Sequence, residues 1–230
     1  MELFNYDFEV NATMKINFDK IDAVIFDMDG SLVDSMWMWR AIDQKFLEDR
    51  GIEYSTQVQK DLEGLSFTEA VGYFQTKFNL DESFDSIADS INGMAKDIYE
   101  YGVTYKPGAR EFLEFIKEKG IKTGIATSNS KELVEACDKN LGLSEYIDEI
   151  HTTDEVARSK PYPDIYIYIA ELLDADPMRC VVFEDILPGI SAGLDARMTV
   201  VAVEDEYSME IKDKKKRMAH GYITDYRELL

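Results

Sequence analysis

Three short clusters of carboxylates and hydroxyls, and one lysine, each stand just past an apolar run. Asp27-Met28-Asp29-Gly30 follows the run Ala23–Phe26, Thr127-Ser128-Asn129 follows 122–126, and Glu184-Asp185 follows 181–183. Lys160 precedes Pro161 in the segment after a short run at 149–151. Together these residue types suit work on a phosphate ester. Carboxylate oxygens are the ligands a hard cation such as Mg2+ selects, and substrate phosphate commonly supplies a further one. Asp27 and Asp185 can hold that ion while the second oxygen of Asp27 attacks phosphorus, giving an aspartyl-phosphate intermediate. Asp29, two residues on, suits the general acid towards the leaving alcohol and then the base towards water. The pair needs opposite protonation states in the first step. A metal-bound Asp27 stays ionised, whereas Asp29 can stay protonated if only its main-chain carbonyl touches the ion. Lys160 and the donors of Ser128 and Asn129 would balance charge on the transferring phosphoryl oxygens, with Thr127 an alternative to Ser128 as the phosphate hydroxyl. Gly30 permits the tight turn that brings backbone amides near those oxygens.

Such groups converge only on a suitable scaffold. Ala23–Phe26 is short and wholly apolar, as in a strand buried on both faces. The runs 122–126, 149–151, 181–183 and Thr199–Val203 read as further strands. Helical patterns at about 111–119, 131–140, 164–173 and 190–196 alternate with them. This predicts an α/β fold, a Rossmann-like parallel-sheet core covered on both faces. In open sheets of that kind ligands bind beyond the carboxyl ends of the strands, where the clusters fall. Residues 36–101 interleave acidic and aromatic residues with little strand signal and interrupt the alternation after its first strand. The expected division is therefore a core of 20–34 and 107–230, an inserted helical cap at 35–106, and an N-terminal extension at 1–19. Within 4–18 every even position is apolar, so the extension reads as a β-hairpin turning at residues 11–13. It would cover a sheet edge or serve a subunit contact. The run 212–217 reads as one solvated helix face, and Asp34 and Asp154 as turn or cap residues.

Forty-six acidic residues against 25 Lys and Arg give a formal charge of -21. That balance repels a nucleic-acid backbone. The absence of a long apolar run or a basic, apolar leader predicts a cytoplasmic chain with no membrane partner. Two cysteines, Cys137 and Cys180, are too few for a disulfide framework and read as inert thiols. His151 and His220 have no motif around them and read as structural or exposed.

The residues 26–35, Phe-Asp-Met-Asp-Gly-Ser-Leu-Val-Asp-Ser, resemble the first motif of the haloacid dehalogenase-like superfamily of phosphohydrolases. Thr127-Ser-Asn129, the stretch 160–166 and the stretch 183–189 look like its second, third and fourth motifs, in order. The resemblance covers about residues 20–230 and includes the position of the cap. It implies Asp27 as nucleophile and metal ligand, Asp29 as acid/base and carbonyl ligand, and Ser128, Asn129 and Lys160 as phosphate binders. Asp185 is then a Mg2+ ligand, and Glu184 binds the ion directly or through water. The cap's first helix carries a Met/Trp stripe at 36–39 that is either cap core or substrate contact, and 64–68 looks like the cap loop facing the site. Sugar-phosphate mutases of similar pattern carry a histidine where this chain has Trp39 and an arginine where it has Phe67. Those aromatics, taken as specificity residues, favour a phosphatase acting on a small organic monophosphate, as a monomer or homodimer. The alternatives are a beta-phosphoglucomutase-like phosphotransferase and a non-catalytic binding protein on the same fold. A dehalogenase fits less well, since such enzymes need neither a metal nor a second aspartate.

Overall fold

The structure is a computed structural model that describes residues 16–230. From its start the chain forms β1 (Ala23–Phe26) and β2 (Val33–Asp34), then four helices, α1 (Met36–Glu48), α2 (Thr56–Leu62), α3 (Phe67–Lys77) and α4 (Phe84–Tyr101). After β3 (Thr104–Tyr105), strands and helices alternate: α5 (Ala109–Glu118), β4 (Lys122–Thr127), α6 (Lys131–Leu141) and β5 (Glu149–Thr152). The chain closes with α7 (Asp164–Leu172), β6 (Cys180–Glu184), α8 (Leu187–Asp195), β7 (Thr199–Val203), α9 (Lys212–Met218) and β8 (Gly221–Ile223).

Six strands pair in parallel in the order β5-β4-β1-β6-β7-β8. Every residue of β1 is buried, as its lack of polar residues requires for a central strand. Its alternate side chains enter two cores. Val24 and Phe26 pack with α5 and α6 through Phe112, Leu113, Ile116 and Leu133, while Ala23 and Ile25 pack with α7 and α8 through Ile165, Ile169 and Ile190. The strand order reverses direction at β1, so a crevice opens at its carboxyl end between β4 and β6.

The four-helix insert leaves and returns through a two-stranded antiparallel ribbon, in which Val33 faces Tyr105 and Asp34 faces Thr104. Its interior, with Phe46, Val58, Val71, Phe74, Ile87 and Ile91, runs on into the α5/α6 core, and α4 lies along α6. Helix α3 starts at a capping box in which Ser66 and Glu69 satisfy each other's backbone amides. No helix among the described residues is long and apolar enough to cross a membrane.

Two sequence expectations need correction, and a third falls mostly outside the described residues. The sheet has a sixth strand, β8, whose three residues begin on glycine and carry too little pattern to read. The expected hairpin lies outside the described residues except at its end. There Phe18–Lys20 is a 3-10 turn, capped by the Asn17 side chain, that inserts Phe18 edge-on against Phe112 and Phe115 at 5.7 and 5.2 Å. The basic run at 212–217 is not wholly solvated. Lys215 is fully buried and donates to the Val203 carbonyl and to Ser208 Oγ, both at 2.8 Å.

Phe112 holds the α5 face together, since its ring meets Phe18, Phe26, Phe183 and Tyr226 and is itself fully buried. Phe112→Ala is expected to cost about 3–5 kcal/mol of unfolding free energy in a urea titration. A loss under 1 kcal/mol would show that the cluster collapses around the gap.

Candidate active site

The carboxyl ends of β4, β1 and β6 lie side by side, and one ammonium fills the space between them. Lys160, 3 % exposed, donates to Asp27 Oδ1 at 2.6 Å, Glu184 Oε1 at 2.6 Å and the Ala126 carbonyl at 3.2 Å. Glu184 is fully buried and also accepts from Tyr166 Oη at 2.5 Å and from the Asp185 amide at 3.2 Å. That carboxylate lies against the first turn of α8, where only glycine fits: a Cβ on Gly189 would come within 1.9 Å of Glu184 Oε1. Gly30, at φ +84°, is required as well, because a Cβ there would lie 2.4 Å from Asp185 Oδ2. Ser31 Oγ donates to the other oxygen of Asp185 at 3.2 Å.

Asp27, Glu184 and Asp185 each offer an oxygen within 4.8 Å of the others, and all three are buried. Burial pushes the Asp27 carboxyl up to about 8, Lys160 pulling it down while the charges of Glu184 and Asp29 add to the rise. Burial, with the charges of Asp27, Glu184 and Asp205 adding to it, drives Asp185 well above the usual carboxylate range. Desolvation works against the Lys160 ammonium, but the Asp27 and Glu184 charges outweigh it and hold its pKa above the lysine range. The site thus concentrates anionic oxygen around one cation, and an oxygen-only donor set of this kind fits a hard divalent ion.

Asp29 faces a second network. Its Oδ1 accepts from Ser35 Oγ at 2.5 Å and from Tyr99 Oη, and its Oδ2 accepts from Asn129 Nδ2 at 3.1 Å. Tyr99, at the end of α4, in turn accepts from Trp39 Nε1 at 3.1 Å and Asn129 Nδ2 at 2.7 Å. Burial raises the Asp29 carboxyl, and the hydrogen bonds from Ser35, Tyr99 and Asn129 moderate the rise. Asn129 is therefore occupied within the protein, its Oδ1 also accepting from the Ser130 amide at 2.8 Å. Thr127 Oγ1 accepts from the Asn129 amide at 3.1 Å and is buried, Ser128 is half-buried, and both residues line the cavity.

Above these groups lies a cavity of about 820 Å3, lined on the core side by Asp27, Asp29, Ser128, Lys160 and Asp185. The insert contributes Met36, Trp39, Arg40 and Asp43 from one face of α1, and Phe67 from the start of α3. The stripe at 36–39 thus divides: Met36 and Trp39 line the cavity, Met38 is core, and Trp37 points to solvent. Asp154 is more than a turn residue. It accepts hydrogen bonds from Ser66 Oγ and the Thr68 amide, tying the segment after β5 to the cap loop. His151 is partly buried between Glu149 and Glu155, at 2.9 Å from each. Both thiols are buried, which raises their pKa values and keeps them protonated.

Sequence reasoning missed Tyr99, whose position follows from helix packing and carries no local motif, and Tyr166, although it closes the stretch 160–166. It also missed Ser31 and Ser35, although both sit inside the first motif.

A six-stranded parallel sheet with an acidic cluster at its switch point and a helical insert after the first strand defines a Rossmann-like α/β core. The chain belongs to the haloacid dehalogenase-like hydrolase family, whose sequence profile matches residues 24–203. Among curated relatives it is 31 % identical over 177 residues to the phosphorylated carbohydrates phosphatase of Thermotoga maritima, covering 76 % of this chain and 82 % of that one. It is 29 % identical to hexitol phosphatase B of Escherichia coli, covering 80 % and 84 %. Among solved structures it resembles a beta-phosphoglucomutase from Clostridium difficile, with a TM-score of 0.76, 26 % identity and coverage of 91 % and 93 %.

One buried carboxylate stands apart from both networks. Burial alone pushes Asp43 up to about 7. The unfolded chain ionises this group near 4, so between about pH 4 and 7 the folded state binds the extra proton and stability falls as pH rises. Asp43→Asn is expected to remove up to about 1.4 kcal/mol per pH unit from that slope, read from urea midpoints across the window. Equal slopes in the two proteins would show that Asp43 ionises normally.

Proposed function

We propose that the chain is a Mg2+-dependent phosphatase that hydrolyses a small organic phosphate monoester through an aspartyl phosphate on Asp27. The observation that carries this reading is the Asp27 carboxylate, held by Lys160 at the floor of a cavity of about 820 Å3 and flanked by Asp185. The relatives named as phosphatases of carbohydrate phosphates support it and favour a phosphorylated polyol or sugar as substrate.

In this reading Asp27, Asp185 and the main-chain carbonyl of Asp29 hold the cation, while Glu184 is turned to Lys160 and Tyr166. When bound, Mg2+ supplies charge neutralisation between the carboxylates and the phosphoryl oxygens. Asp27 attacks phosphorus, the bond to the ester oxygen breaks, and Asp29 gives its proton to that oxygen. Its raised pKa favours the protonated start this requires. Asp29 then takes a proton from water as that water attacks the acyl phosphate, which frees Asp27 and inorganic phosphate. Lys160 and Ser128 balance charge on the phosphoryl oxygens, and Asn129 acts chiefly by holding Asp29 and Tyr99. Residues 20–34 and 107–230 serve as the core and 35–106 as the cap, a division the ribbon at Val33–Asp34 and Thr104–Tyr105 supports.

Trp39 and Phe67 weigh against a mutase. Trp39 spends its one donor on Tyr99, and Phe67 offers no charge to a second phosphate.

Phosphate release from a panel of monoesters, including β-glucose 1-phosphate, decides between the readings. Release is expected with Mg2+ and not with chelator, and Asp27→Asn is expected to lower it by at least about a thousandfold. Turnover retained in folded Asp27→Asn would overturn the assignment of Asp27. Conversion of β-glucose 1-phosphate to its 6-phosphate without phosphate release would establish the mutase.

A further inference from the structure

The insert's side of the cavity holds a carboxylate that the proposed chemistry does not use. Asp43 lies on α1 at the fourth position after Trp39, on the face formed by Met36, Trp39 and Arg40, and lines the cavity. It is 8 % exposed, yet no hydrogen bond or ion pair reaches it among the described residues. Arg40, although on the same face, makes no ion pair with it. Close enough for Asp43's charge to act on it is Tyr54, whose buried hydroxyl also has no hydrogen-bond partner. Buried polar groups are almost always paired, so a largely buried carboxylate that lines a cavity without a protein partner marks the place where a ligand supplies one.

We propose that Asp43 is a specificity-determining residue, whose carboxylate accepts a hydrogen bond from a hydroxyl or ammonium group on the leaving part of the substrate. This deepens the phosphatase reading and rests on it. One helical turn separates Asp43 from Trp39, about 6 Å along the axis. Trp39 reaches Asp29 through Tyr99, so the donor group stands several bonds away from the ester oxygen that Asp29 would protonate. The upward shift of the Asp43 carboxyl agrees with this, because it marks an acceptor buried without a compensating donor. A wall built to bind a donor rejects the analogue lacking it more strongly than an apolar wall rejects an added hydroxyl.

The test compares three esters of similar length: sorbitol 6-phosphate, glucosamine 6-phosphate and hexyl phosphate. The quantity read is the ratio of kcat/KM for each donor-bearing ester to that for hexyl phosphate. The unmodified chain is expected to prefer at least one donor-bearing ester, and Asp43→Leu to lower that ratio at least about tenfold. Asp43→Asn keeps an acceptor of the same shape. If the ratio survives in Asn and falls in Leu, the recognised donor is a hydroxyl; if it falls in both, it is an ammonium. A ratio within twofold of the unmodified chain's in folded Asp43→Leu, or no preference in the unmodified chain, overturns the proposal. Calorimetric binding of the same three esters to the unmodified chain and to Asp43→Leu keeps the two readings apart. An Asp43-dependent binding preference in a chain that releases no phosphate would sink the phosphatase and leave this subsite standing.

Discussion

Burying the ammonium of Lys160 imposes the tightest constraint on this structure. Removing a charge from water costs several kcal/mol unless partners replace the lost hydration. The lysine has three donors and the fold supplies three acceptors: Asp27, Glu184 and the Ala126 carbonyl. These come from the ends of three different strands, so β4, β1 and β6 must be neighbours, in parallel, with their carboxyl ends level. Glu184 must then be satisfied itself, which fixes Tyr166 on α7 and leaves glycine as the residue that fits at 189. Strand order, one helix position and one glycine follow from placing a single cation.

The insert is held to the core by contacts of another kind. On one side Tyr99 joins Trp39 to Asp29 and Asn129. On the other, Asp154 and Ser159 bind Ser66, Thr68 and Glu69 at the start of α3. The Asp154 side of this contact is part-exposed, whereas Tyr99 is fully buried and belongs to the apolar core. The apolar continuity between insert and core, by contrast, runs along α4 and α6.

What could be read from the sequence was local. The first cluster and its glycine are contiguous, and the other clusters stand at the ends of strands whose apolar runs are plain, so the core fold and the converging carboxylates were legible together. Tyr99 was not, because it lies 70 residues from Asp29 and its meeting with it depends on how α4 returns to the ribbon. Lys215 was hidden by its neighbours: five of the six residues at 212–217 are basic, and nothing in such a run marks the one that turns inward. Asn129 was expected to serve phosphate; its side chain here donates to Asp29 and Tyr99, an arrangement no local pattern in the sequence displays.

The two walls of the cavity differ in how far their polar groups are already satisfied. On the core wall, Asp27, Lys160 and Glu184 answer one another, so altering any one leaves a buried charge unpaired and disturbs the strand ends beneath it. The insert's wall has no such ion-pair interdependence at Asp43, although Phe46 and Leu47, one turn on along the same face, are core residues of the helix. A residue there can change the group it recognises without disturbing the ion cluster. Trp39 of the insert's wall reaches Asp29 of the core wall through Tyr99, so the proposed reacting centre and the proposed subsite share a hydrogen-bonded link. The same arrangement explains why the chemistry could be read in the sequence while the substrate could not. The reacting groups are tied to strand ends that every such sheet must have, whereas Asp43 becomes notable only once its surroundings show that nothing in the protein answers it.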